Sequence, residues 1–163
     1  MVKKNDGWTL IELLIVVAVL GIVGMMGPQV VKQTVQFFVL GKAKLQLQDE
    51  ARAAMYILTR ELRQAQSSTI SIDQASGQPY YSRITFSKVQ GTTVTVSQSG
   101  STLTLTEGTI TSILSKNLEY LAFTFPRSDD MTIVSVSMTL QEQIYNGFSK
   151  ALHMASEKVR VMN

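Results

Sequence analysis

Between Trp8 and Val31 the chain carries a single charge, the carboxylate of Glu12, and Lys32 is the next ionic residue along. No other feature restricts the fold so tightly. As a helix, the twenty residues from Trp8 to Gly27 span about 30 Å, the thickness of a bilayer's hydrocarbon core. Lys3 and Lys4 precede the run and predict a cytoplasmic amino terminus with the remainder of the chain outside. A plain anchor gains nothing from Glu12, because an unpaired carboxylate in lipid costs on the order of a few kcal/mol. A conventional cleaved secretory signal fits the basic start and the apolar run. It does not fit Met25 and Pro28, which stand where a small-residue cleavage site is needed.

Scission after Gly7 gives the carboxylate a reason. Trp8 would then begin the chain with a free amine, which titrates around pKa 8 and is charged near neutral pH. On a helix that starts at Trp8 this amine lies one turn from Glu12 on the same face. It can pair within its own chain or with Glu12 of a neighbour, and pairing removes most of the cost of burial.

Gly7 followed by Trp-Thr-Leu-Ile-Glu and then Leu-Leu-Ile-Val-Val-Ala-Val-Leu-Gly-Ile resembles the class III signal of type IV pilins and type II secretion pseudopilins. The resemblance implies cleavage between Gly7 and Trp8 by a prepilin peptidase, methylation of the new amine at Trp8, and a register-setting role for Glu12. Two positions differ from the family's pattern: Trp8 stands where phenylalanine is usual, and Pro28 comes one residue earlier than the family's helix-bending proline. The match is close over about twenty-five residues and general beyond them.

Pro28 removes a backbone donor and clashes one turn back, so a bend is expected near Gly24 to Gly27, in a stretch that Gly21, Gly24 and Gly27 already weaken. Beyond it, Val31, Val35, Phe38, Leu45, Leu47, Ala51, Ala54, Met55, Leu58, Leu62 and Ala65 mostly recur every three or four residues. Arg52, Arg60, Glu61 and Arg63 fall on the other sides. This pattern predicts one helix from Trp8 to Gln66, about 88 Å long, with Ser67-Ser68-Thr69 as its stop. The seam is too irregular for a coiled coil.

After Gln66 the composition changes: 21 of the 49 residues from Ser67 to Ser115 are Ser or Thr. Alternation in Ser82–Phe86, Thr92–Ser97 and Leu103–Leu105, punctuated by Gly91, Gly100 and Gly108, predicts a meander of short antiparallel strands. Leu118–Phe125 and Met131–Leu140 form a further pair joined through 126–130, and Lys158–Met162 is expected to close the sheet. Val89 to Thr106 has no charge and is a candidate contact edge. The fold class is α+β: a long amino-terminal helix packed on a carboxy-terminal antiparallel sheet. The expected divisions are a leader at 1–7, a transmembrane and filament-core helix at 8–28, and a head at 29–163 made of helix 29–66 and sheet 67–163. The end of the long helix (RELRQA), the phrase NLEYLAFTF and the final KVRVMN resemble minor subunits of the family, the J-type pseudopilin and the W-type minor pilin.

Chemistry is sparse. His153 is the only histidine and there is no cysteine, so neither a nucleophile–histidine arrangement nor a His/Cys metal site is indicated. Asp129-Asp130 beside Ser128 could contribute to calcium binding, but reads better as a solvated turn. Tyr80, Tyr81, Phe123, Phe125 and Phe148 read as packing residues. The expectation is a structural subunit with no enzyme activity, no cofactor and no metal. Its partners would be the prepilin peptidase, other pilin or pseudopilin subunits and the inner membrane, with the head outside, in a periplasmic pseudopilus or a surface pilus. A net charge of +3 without a basic stripe argues against nucleic acid. The alternative is a minor pilin whose head binds DNA or a surface, for which Lys150, Lys158 and Arg160 are the nearest basic cluster.

Overall fold

The computed structural model describes residues 8–144 and 149–161. Two compact units divide the chain, one ending at Gly41 and one beginning at Lys42. Helix α1 covers Leu10–Arg63 and is not interrupted at Pro28. It starts two residues later than the apolar pattern suggests. The Thr9 carbonyl accepts the first helical bonds, from the amides of Glu12 (3.1 Å) and Leu13 (3.2 Å), so Trp8 and Thr9 lie outside the helix. At the other end the last bonds tighten to a three-residue spacing, Gln64 to Glu61 and Ala65 to Leu62. The Gln66 amide then donates to Ser87 and the Val89 amide to Gln64. Pairing with the sheet captures these backbone groups, and the helix stops at Arg63 instead of Gln66.

In the second unit α1 buries Ala43, Leu47, Ala51, Ala54, Met55, Leu58 and Leu62, a stripe with helical spacing. Leu45, expected on that stripe, is 64% exposed. It stands two positions from Leu47, roughly 200° away around the helix, and both cannot face one core. Val31, Val35 and Phe38 are also exposed, and they belong to the first unit. Among the described residues every buried apolar one lies at Ala43 or beyond. A chain beginning at Lys42 therefore carries the whole core and holds together on its own.

Eight strands follow: β1 Ser71–Asp73, β2 Arg83–Ser87, β3 Thr93–Ser99, β4 Thr102–Glu107, β5 Ile110–Ser115, β6 Leu118–Thr124, β7 Ile133–Ile144 and β8 Ser149–Arg160. The expected single sheet is two antiparallel sheets, ordered β1-β2-β3-β4-β5 and β6-β7-β8. Alternate residues turn inward: Ile84 and Phe86, Val94 and Val96, Leu103 and Leu105 in the first sheet, and Val134, Val136, Met138 and Leu140 on β7. Hydroxyls occupy the outer face and pair across strands, Thr85 with Thr95 (3.3 Å), Ser97 with Thr104 (3.2 Å) and Thr106 with Thr111 (3.0 Å). That is the physical use of the Ser/Thr-rich composition. Gly91, Gly100 and Gly108 take positive φ (88°, 59° and 59°) at turns, a conformation other residues reach only with strain. The uncharged stretch Val89 to Thr106 is not an edge, because β3 and β4 are interior strands.

Glu61, expected on the wet side of α1, is only 4% exposed. Its carboxylate receives the Arg60 guanidinium at 2.8 Å and the Lys88 ammonium at 2.6 Å, and Lys88 also pairs with Glu107 at the end of β4. The knot ties α1 to the first sheet. A hydrogen bond from the Thr59 hydroxyl to Glu157 (3.2 Å) ties it to β8. Glu50 accepts from the Lys116 amide (3.2 Å) and the Asn117 side chain (3.0 Å), which places the connection between the two sheets.

Burial alone would raise the Glu61 carboxyl, but hydrogen bonds from Lys88 and Arg60 outweigh it and hold the group below its ordinary 4.5. Burial likewise opposes the charged form of Lys88, and its bonds to Glu107 and Glu61 lift it above 10.5. Glu61 therefore contributes stability that is present above about pH 4.5 and lost as pH falls through its depressed value, whereas the Lys88 contribution persists up to pH 10.5 and fades above it. Lys88→Met in a chain starting at Lys42 is expected to cost about 2 kcal/mol in urea unfolding at pH 7, because it removes the cation facing Glu61 Oε2 and leaves the buried carboxylate with Arg60 alone. The difference from wild type should shrink below pH 4.

Candidate functional site

The residues singled out in the sequence cluster at the amino end of α1. Gly7 lies outside the described residues. Trp8 is 71% exposed and sits, with Thr9, just ahead of the helix. Glu12 is exposed in the first turn, and no described side chain pairs with its carboxylate. The Glu12 amide points back to the Thr9 hydroxyl at 3.4 Å and to the Thr9 carbonyl at 3.1 Å. Thr9-Leu10-Ile11-Glu12 thus has the form of a capping box, in which a Thr at the cap satisfies the amide of a Glu three residues on. A negative side chain also suits the positive end of the helix dipole. The reading of a helix from Trp8 missed this cap, whose signal is the T-x-x-E spacing of Thr9 and Glu12, and the first turn begins at Leu10.

From Trp8 to Phe38 every residue is exposed. Within this segment, the residues from Leu13 to Gly27 carry no polar side chain, and the helix is long and apolar enough to cross a membrane. A methyl group added at Gly21, Gly24 or Gly27 would meet nothing within 4 Å in the chain itself. Pro28 lies inside α1. Its missing N–H leaves the Gly24 carbonyl without the usual helical partner.

The remaining candidates are dispersed. His153 is half-buried on β8, opposite Leu140. Asp129 is held by the Arg127 guanidinium (3.1 and 2.9 Å). Asp130 accepts from the Thr132 hydroxyl and, at 2.9 Å, from the Thr132 amide. The Thr132 hydroxyl, then its amide, keep the Asp130 carboxyl below the ordinary carboxylate range. Among the described residues no three His, Cys, Asp or Glu side chains gather where a metal could sit. Lys150, Lys158 and Arg160 share one face of β8, but eight residues of strand put the two lysines roughly 27 Å apart.

Of the aromatic residues expected in the core, Phe123 is fully buried, Tyr80 and Tyr81 are 73% and 55% exposed, and Phe148 lies outside the described residues. Tyr81 has φ 65°, and its carbonyl accepts the Phe123 amide. It borders an open cavity of about 530 Å³ with Ile72, Phe125 and Met131. A second groove, about 620 Å³, runs between Arg52, Tyr56, Arg60 and Arg63 of α1 and Glu157 of β8. Sequence spacing shows the arginines on α1 but not the strand beside them.

Residues 2–27 match the family described as the prokaryotic N-terminal methylation motif, which is typical of type IV pilins and pseudopilins. No curated protein and no solved structure matches the chain. The motif is that of a structural, pilin-type subunit. It implies processing by a prepilin peptidase and assembly with other pilin subunits, and with the apolar helix it points to membrane anchoring. Thr9→Ala in detergent micelles is expected to fray the first turn, speeding amide exchange at Glu12 and Leu13 about fivefold, in line with about 1 kcal/mol for a lost cap; unchanged exchange would show that the cap is idle.

Proposed function

We propose that this chain is a minor pilin or pseudopilin, made as an inner-membrane precursor with the head outside. In this reading residues 1–7 are a leader cut between Gly7 and Trp8, Trp8 is N-methylated, and residues 8–28 span the bilayer before they enter a filament core. Glu12 sets register by meeting the amine of a neighbouring subunit's first residue. Pro28 marks where the helix gives way during packing. The head is the part that faces other heads.

One observation carries the proposal: a bare apolar helix longer than a bilayer. A hydrocarbon core covers about twenty residues, whereas Val30, Val31, Val35, Phe37 and Phe38, all more than half exposed, continue past that length. Lipid does not reach them, and the head's core begins only at Ala43. Neighbouring helices supply the missing cover, and the small residues Gly21, Gly24 and Gly27 let them approach closely. The DNA-binding alternative asks for clustered cations, and the spread of Lys150 and Lys158 along β8 offers none.

Expression of the full chain with and without a prepilin peptidase tests the processing step. The expected intact mass begins at Trp8 and carries one added methyl group. A chain that works in its membrane with residues 1–7 attached would overturn the reading. Glu12→Leu should insert normally yet lower incorporation into filaments about tenfold or more, the loss of one partly buried ion pair. Equal incorporation would refute the register role.

A further inference from the structure

The structure moves the charge-free edge from the expected Val89–Thr106 to β5. In the first sheet the edges are β1 and β5, and in the second β6 and β8. Strand β1 is three residues long, and its Asp73 is locked to Arg83 by two 2.6 Å bonds. Strand β6 carries Glu119, and β8 carries Lys150, Glu157, Lys158 and Arg160. These are the usual guards against edge pairing: shortness and charge. From Gly108 to Ser115 there is no charge and no proline. Ile110 and Ile113 are 71% and 57% exposed, and Thr111 and Ser112 are exposed as well. A residue insertion at Leu114, where the pairing jumps from Thr104–Ile113 to Leu103–Ser115, bends the strand only at its end.

Unpaired backbone donors and acceptors along such an edge specify an extended strand as their partner. We propose that β5 pairs antiparallel with β5 of a second copy of this chain, joining two five-stranded sheets across a two-fold axis at Ser112. Self-pairing is favoured by chemistry in this register. Ser112 faces Ser112, Thr111 faces Ile113, and Ile110 lies beside Leu114 of the second copy, so every cross-strand neighbour is uncharged and most are β-branched or aliphatic. Pairing with itself sets no like charges together, which the ionic strands β6 and β8 could not avoid. It also covers Ile110 and Ser112, which lie on the inward side of the sheet, in register with Glu107 and Leu105, yet remain exposed at its rim. The contact is small, so it is weak between free heads. Copies tethered in one membrane by their apolar helices meet at a higher effective concentration. The inference is independent of filament assembly.

The axis makes a sharp test. Residues 42–163, which carry the whole core, are compared by sedimentation equilibrium at low salt up to about 1 mM, the range expected for a small interface. Wild type should show a monomer–dimer equilibrium. Ser112→Lys and Ser112→Glu each set like charges face to face and should raise the dissociation constant about fivefold or more. Because Ser112 is exposed, neither variant disturbs the core. An equimolar mixture of the two should return to within about twofold of wild type, since lysine then faces glutamate. Leu152→Lys, on β8 at an edge of the other sheet, should leave association unchanged. A wild-type head monomeric throughout the range, dimers unaffected by both Ser112 variants, or variants that do not rescue one another would overturn the proposal.

Discussion

An apolar helix that its own chain does not cover is the constraint from which the remaining structure follows. Burying apolar surface contributes roughly 25 cal/mol per Å², and α1 leaves every residue from Leu10 to Phe38, most of them apolar, exposed. A fold can tolerate that only if another phase or another molecule provides the cover. The head is arranged accordingly. It draws its stability from the last turns of the same helix and from two small sheets, and its described buried apolar residues begin at Ala43. One element thereby serves two environments, with the change near Gly41.

Inside the head, the helix is fixed at three polar points that accompany the apolar stripe. Glu50 holds the connection between the sheets, Thr59 reaches β8, and Glu61 meets Lys88. The last is the most demanding. Two charges taken out of water gain little over well-packed apolar groups, yet they are strict about geometry, since neither tolerates loss of the other. The apolar stripe alone would accept sliding by a turn. An ion pair at its carboxy-terminal end does not.

Much of this was legible in the sequence because it rests on strong periodicities. The membrane-length run, the stripe from Leu47 to Leu62 and the alternations of β2, β3 and β4 all follow from where apolar residues recur. What stayed hidden has specific causes. Strand β8 was expected only over its last residues, because Ala151, Ala155, Met154 and Glu157 favour helices and its inward positions include small Ala and half-polar His153. A twelve-residue ladder with β7 overrides that preference. Strand β5 lacks clean alternation because it lies at the rim of the sheet, where the inward position Ser112 stays exposed and can be polar while Ile113 faces outward. Glu61 looked like a surface residue because its partner, Lys88, is 27 positions away and no local pattern links them. Trp8 and Thr9 looked helical because hydrophobicity continues through them, while the Thr9 cap decides where coiling begins. The amino-terminal motif was the most readable part: a glycine, an aromatic and a lone acid in a charge-free run fall within residues 2–27, which match the methylation-motif family without any tertiary structure.

The continuity of α1 has a mechanical side. The helix is unbroken from Leu10 to Arg63, and on its later turns Leu47, Ala51 and Leu58 are completely enclosed. Tension applied along the helix from its amino end would therefore be carried by interlocked side chains in shear. It is not left to a loop that could peel away one bond at a time. A subunit built this way yields only when its interior gives, and so it can transmit a pull.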